Sequence, residues 1–227
     1  ALTVGGNNAS NTFAGSLTGP GSLTKLGTGS LTLSGANSFA GGSTVTAGIV
    51  TPAASAAFGN GPVLLNGGQV VINASGLTIS NTVTISGGGV TGQGLIYGPA
   101  SGTSTLTGPI TITADASAGG HFGSQNAAGA LALMGPITYT GTVTSRIGLV
   151  LFGGGGSYPM LSIGQDTARL AANNGLATNA TLTIGVSAAG TFDLAGFNQS
   201  LVGIVKSTNG ATIGNSSTTA DSILTLT

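Results

Sequence analysis

The chain of 227 residues has no cysteine, no tryptophan and no glutamate, one histidine, and only four basic and four acidic side chains. Without cysteine there are no disulfide staples, thiolate metal sites or cysteine nucleophiles. The compartment is left open by that absence, since exported proteins can also lack cysteine. Ordinary globular chains are about one quarter charged, whereas this one is 4% charged with a formal net charge of zero. Lys25, Arg146, Arg169 and Lys206 are too few and too scattered to neutralise a phosphate backbone or to seek an anionic membrane surface. Long apolar runs are missing too, so nothing approaches the roughly 18 residues of a transmembrane helix. The first residues alternate like a strand and do not pair a charged segment with an apolar one, so any export signal is expected to have been removed or to lie outside this chain.

What the sequence does contain is hydrophobicity, at 40% of residues, and a period of two. Low charge here does not mean disorder, which couples low hydrophobicity to high net charge. Leu31-Thr32-Leu33, Val70-Val71-Ile72, Val83-Thr84-Ile85, Ile110-Thr111-Ile112, Leu182-Thr183-Ile184 and Leu224-Thr225-Leu226 are short runs of β-formers bounded by Gly, Asn, Pro or Ser, the pattern of short strands punctuated by turns. Helix signals are poor: glycine is nearly one residue in five, and only Thr167 to Asn173 admits a helical turn.

Short strands with internal repetition point to a solenoid ahead of a sandwich or barrel. The phrase Ser-Leu-Thr recurs within Gly21 to Asn37, and later segments return to apolar-Thr-apolar, a Gly or Asn corner, then another strand. A parallel β-helix uses about 20 residues per coil, which predicts one segment over 1–227 of roughly ten or eleven coils. Gly, Asn and Ser suit its tight corners. Inward Val, Ile, Leu and Phe fill a narrow tube, and outward Thr keeps β-propensity while remaining wettable.

Gly21 to Val50, GSLTKLGTGSLTLSGANSFAGGSTVTAGIV, resembles the autotransporter-associated β-strand repeat. Lys25, Gly27, Gly29, Leu31, Leu33, Gly35, Asn37, Gly41, Thr44, Val45 and Gly48 fall on its pattern, with Phe39 where the family usually has Tyr. Leu2 to Gly15, Phe58 to Asn73 and Thr191 to Ile204 are similar to passenger sequences around that motif. The middle, from Gly87 to Gly164, carries no such likeness and is expected to continue the coil. The resemblance implies a right-handed parallel β-helix on a bacterial surface or outside the cell, and does not imply a catalytic activity. The chain departs from a whole autotransporter in lacking the aromatic girdles and long strands of a membrane barrel.

Candidate chemistry is sparse, and the structural reading of each residue is preferred. His121 could serve as a general base, but its nearest acid in sequence is Asp115, across a small-residue loop, and no Gly-x-Ser-x-Gly elbow occurs. Gly87-Gly88-Gly89-Val90-Thr91-Gly92 satisfies Gly-x-Gly-x-x-Gly, yet with this much glycine the pattern arises by composition, and no helix pattern follows. Asp115, Asp166, Asp193 and Asp221 are single acids, although the last two intervals approach one coil or a little more, so a carboxylate pair in a polysaccharide-active β-helix enzyme is the alternative function. Calcium repeats are absent. Asn8, Asn73, Asn179, Asn198 and Asn215 head glycosylation-like triplets and are read instead as rungs of stacked amide ladders inside the coil. Thr82-Val83-Thr84, Thr103-Ser104-Thr105, Thr111-Ile112-Thr113 and Thr142-Val143-Thr144 raise a minor alternative, an ice-binding Thr array, against which their unequal intervals count.

The preferred reading is a non-enzymatic fibre, filament or adhesin shaft with no catalytic residue, cofactor or metal. Its partners are further copies or adjacent repeats stacked end to end, together with surface glycans or host receptors, and neither nucleic acid nor membrane insertion. Ala1 to Val4 and Ile223 to Thr227 both read as uncapped strands, and Leu2 to Val4 and Ser222 to Thr227 stand at nearly the same phase of a longer unit. Head-to-tail stacking by strand addition is therefore expected, with an axial repeat of roughly 50 Å from coils about 4.8 Å apart.

Overall fold

A computed structural model describes residues 1–90, 95–114 and 121–227. All regular structure in these residues is β, and the strands pair in parallel. No helix among them is long and apolar enough to cross a membrane. The chain winds as a parallel β-solenoid of about ten turns, the number of strands in its largest sheet. The first sheet has eight strands, from Leu2–Val4 through Leu23–Lys25, Ser43–Val45, Val63–Leu65, Val83–Ile85 and Ile110–Ile112 to Gly156–Ser157. The second runs through ten strands from Asn11–Phe13 to Gly203–Lys206, and the third through seven from Thr78–Ile79 to Ala211–Gly214. Gln199–Leu201 and Leu224–Leu226 form a separate pair at the place in the coil that the first sheet occupies earlier.

Coil length changes along the axis. The early coils have two strands each, and equivalent positions are bridged by hydrogen bonds between residues 20 apart. A third strand enters at Thr78–Ile79; the next bridges span 27 or 28 residues, and later coils shorten again to 19 residues from Ala130 to Leu149 and 18 from Leu149 to Thr167. The described part of the 87–164 stretch continues all three sheets, as expected for it.

The period-two pattern becomes an inside and an outside. In the first sheet Val4, Lys25, Val45, Leu65, Ile85 and Ile112 share one register column, and the last four are buried. In the second, Val143, Leu161, Leu182 and Ile204 align. Each such apolar side chain contributes about 1.5–3 kcal/mol by leaving water, and a parallel ladder keeps like residues stacked on like. Between them, Thr32 and Thr183 lie on the outer surface of the same strands.

Corners are set by how closely one coil lies on the next. Gly27 and Gly48 have φ of 65° and 67°, a left-handed conformation that costs a side-chain-bearing residue free energy. A Cβ on Gly35, whose φ is ordinary, would sit on the carbonyl oxygen of Gly15 in the coil before it. Gly87 is a corner of the same kind, packed on the backbone at Gly67, and the rest of the Gly-rich phrase at Thr91 and Gly92 lies outside the described residues.

The helical turn expected at 167–173 is not there. Thr167–Leu170 is a strand, paired on one side with Leu149–Phe152 and on the other with the strand that begins at Gly190. Thr-Ala-Arg-Leu is tolerable as a helix, but alternation places Ala168 and Leu170 in the core with Thr167 and Arg169 outside. Two-sided strand pairing overrides a weak local preference.

Replacing Leu33 by Ala should lower stability by about 2–5 kcal/mol, and replacing Thr32 by Ala by less than about 1 kcal/mol. Urea denaturation of the two variants measures both, and equal losses would contradict the assigned faces.

Candidate functional site

The repeat at Gly21 to Val50 spends its distinctive residues on joining coils. Lys25 points inward, with 1% of its surface exposed. Its Nζ donates to the carbonyl oxygens of Leu26 at 2.5 Å and Gly27 at 2.8 Å, and more distantly to Ala47 in the next coil at 3.5 Å. Burial lowers its affinity for the proton, and the carbonyls of the glycine corner solvate the ammonium in place of water. Asn37 does the same work on the side of the coil that has no strand. Its Oδ1 accepts from the Leu17 amide of one neighbouring coil at 2.8 Å, and its Nδ2 donates to the Ala57 carbonyl of the other at 2.6 Å.

Asn8, Asn198 and Asn215 act likewise, which corrects the expectation that they stack in amide ladders. Asn8 accepts from the Thr28 amide, Asn198 from Ile223, and Asn215 from Gly196 and Ser217, while Asn73 accepts from the Gln125 side chain. Corner backbone N–H groups have no strand partner, and a side-chain carbonyl reaching across one coil spacing satisfies them better than another amide would.

The acids among the described residues do not form a pair. Asp166, just before Thr167–Leu170, is buried, and its Oδ2 accepts from the Ser145 hydroxyl. Its other oxygen has no hydrogen-bond partner among the described residues. Burial, opposed by these hydrogen bonds, pushes its carboxyl up to about 6. Asp193 stands on the adjacent coil opposite Arg169, about three residues or roughly 10 Å farther along the strand than Asp166. It accepts from Arg169 Nε at 2.6 Å and from the Ala195 and Ser216 amides. Burial alone would raise the Asp193 carboxyl; the hydrogen bonds from Ser216, Arg169 and Ala195 outweigh it and hold the group below its ordinary value. Asp221 is exposed ahead of Leu224–Leu226, and Asp115 lies outside the described residues. No cluster of three metal-ligating side chains occurs among the described residues.

His121 is buried in the wall of the solenoid. Its Nδ1 meets the Thr144 hydroxyl at 3.0 Å and the Thr144 amide at 3.2 Å, and its ring packs edge-on to Tyr139 at 5.5 Å. These contacts tie neighbouring strands together in the second sheet.

The outer face of the first sheet was not legible as a unit. Thr3, Thr24, Thr44, Leu64, Thr84, Thr111, Thr138 and Ser157 form one column in unbroken register. The unequal intervals between Thr phrases are absorbed by coils of unequal length, so spacing along the chain hid an alignment in space. Of the four phrases singled out, Thr82-Val83-Thr84 and Thr111-Ile112-Thr113 lie on this sheet, while Thr103-Ser104-Thr105 and Thr142-Val143-Thr144 belong to the third and second.

Lys25 and its glycine corner, the Asn37 bridge and the alternating strands coincide with a family model: residues 23–51 match the passenger-associated-transport-repeat. Over these residues the chain is similar to an autotransporter passenger repeat. Over 90 residues the chain is also 40% identical to the adhesin BmaC autotransporter of Brucella suis biovar 1 (strain 1330), a stretch that covers 39% of this chain and 3% of that protein. No solved structure matches the chain.

Two measurements probe this network. Asn37→Ala leaves the Leu17 amide and the Ala57 carbonyl without their side-chain partner and should cost about 2–4 kcal/mol by denaturant unfolding. Asp166 binds its proton more tightly folded, near 6, than unfolded, near 3.8. Its contribution is therefore fully present below about pH 4 and is lost as pH rises through about 6, by a few kcal/mol at most. Wild type minus Asp166→Asn should show that loss between pH 4 and pH 7, and a flat difference would contradict the assignment.

Proposed function

We propose that this chain is a length of shaft in a bacterial surface adhesin, a non-enzymatic spacer outside the cell. The observation that carries the reading is that the passenger repeat commits its polar side chains, Lys25 and Asn37, to bonds between coils, leaving the repeat a stiff, uncharged rod. The 90-residue likeness to an adhesin supports it. Asp166 and Asp193, the acids a polysaccharide-active enzyme would need, have separate partners and serve the fold.

The shaft extends by end-to-end stacking. Parallel register is continuous through the sheets, and the coils of a further copy or an adjacent repeat would continue it. Unlike ends that bind each other do not close on themselves and so propagate into filaments. Concentrated protein should form fibres with an axial repeat of roughly 50 Å, and Leu226→Lys should abolish them. Monomers alone in electron micrographs and sedimentation would remove the stacking. Release of reducing ends from a polysaccharide panel, lost in Asp166→Asn, would overturn the non-enzymatic reading.

The Thr column favours a second reading. Hydroxyls repeat about every 4.8 Å across the first sheet, and Thr44/Thr46, Thr111/Thr113 and Thr138/Thr140 place a second hydroxyl two residues along the same strand or just past its end. Such a lattice could order water as ice does. Under that reading the protein shows thermal hysteresis that Thr84→Lys and Thr111→Lys eliminate; freezing without hysteresis excludes it.

A further inference from the structure

Few as they are, the cations of this chain are accounted for unequally. Lys25 is committed to backbone carbonyls and Arg169 to Asp193. Arg146 makes no ion pair or side-chain hydrogen bond among the described residues, and its Nε is buried without an acceptor. It directly follows the second-sheet strand Thr142–Ser145, at the lip of a groove of about 270 Å³ on the outside of the solenoid.

The groove is made by neighbouring coils. Ser162 and Gly164 come from the coil after Arg146, and Val186 and Ser187 from the one after that. Gly164 keeps it open: a Cβ there would come within 2.8 Å of Ser187 Oγ. The Ser162 and Ser187 hydroxyls make no hydrogen bond to the described residues, whereas the Thr144 hydroxyl at the edge is engaged by His121. Val186 is 46% exposed, an apolar spot beside these polar groups. Asp166, a buried acid of this region, has its bonded oxygen on Ser145 and makes no ion pair with Arg146.

We infer that this groove binds a carboxylate-bearing sugar unit of a glycan. An unpaired guanidinium calls for an anion, and a planar carboxylate fits its fork with two parallel hydrogen bonds. Two free hydroxyls suit a ligand that itself carries hydroxyls, and an exposed valine suits the C–H face of a sugar ring. The volume lies just below the range of drug-sized sites, room for one ring and no more. An open groove of this size binds weakly, with a Kd on the order of 1 mM, so strength would come from repetition along a polymeric glycan. This deepens the adhesive reading and rests on it for context, but the site itself is tested on purified protein.

The experiment is an amide NMR titration of the 227-residue protein with D-glucuronate, alongside D-glucose and acetate. Glucuronate should produce saturable shifts at Arg146, Gly164 and Ser187, at least about tenfold tighter than either control. Arg146→Gln, and separately Gly164→Val, should remove them while the rest of the spectrum shows the fold intact. Equal binding of acetate would mean an adventitious ion only, equal binding of glucose would mean that Arg146 does not recognise the ligand, and no saturable shift would mean no site; each overturns the proposal. Cell adhesion without glucuronate binding would sink this site and spare the shaft, and binding without adhesion would do the reverse.

Discussion

Everything in this structure follows from laying one coil on the next at the spacing of a parallel strand pair, about 4.8 Å. In the strands that spacing is satisfied by the backbone itself. At the corners it is not, because the chain turns and its N–H and C=O groups lose the ladder. The repeat answers with two devices. Glycines let neighbouring corners approach until a Cβ would strike a carbonyl, as at Gly35 over Gly15. Long polar side chains, Lys25 and Asn37, collect the groups left over. Both are consequences of a single distance, which is why residue types as unlike as Gly, Lys and Asn recur in one phrase.

That constraint also sorts the few charges. A buried cation is costly unless solvated, and Lys25 is solvated by carbonyls whose partial negative charge is concentrated at a glycine corner. Asp193 is solvated by two amides and a guanidinium. Asp166 is buried with a hydroxyl and no cation beside it among the described residues, and burial, which the Ser145 hydrogen bond only partly offsets, raises its proton affinity. Charge is tolerated in this wall to the extent that neighbouring coils supply dipoles of the opposite sign.

The fold was legible in the sequence where local chemistry and coil geometry agree. Leu31-Thr32-Leu33 reads as in, out, in because one strand suffices to define it, and the corner glycines read as corners because the turn itself demands them. Legibility failed where a feature depends on two coils. The strand at Thr167–Leu170 was missed because its partners, not its propensities, make it extended. The asparagines were assigned to one another and instead serve backbone groups about 20 or more residues away. The Thr column of the first sheet was obscured by coils of unequal length, and Arg146 stands out only once Ser162, Gly164 and Ser187 are seen beside it. Pair relations across coils are written in register, and register cannot be counted off when coil length varies from 27 residues to 18 along the chain.

A fold built in this way divides its surface sharply. Inward positions and corners are held by contacts above and below, so substitution there disturbs neighbouring coils on both sides. Outward positions touch little beyond the adjacent outward residue, as with Thr84 between Leu64 and Thr111, and are free to vary coil by coil. Solenoid stability is close to a sum of coil and interface terms, so an outward site can change at one level without cost to distant ones. Recognition chemistry in such a rod is therefore best sought where consecutive coils differ, as they do between Arg146, Gly164 and Ser187, and not in the phrase that repeats.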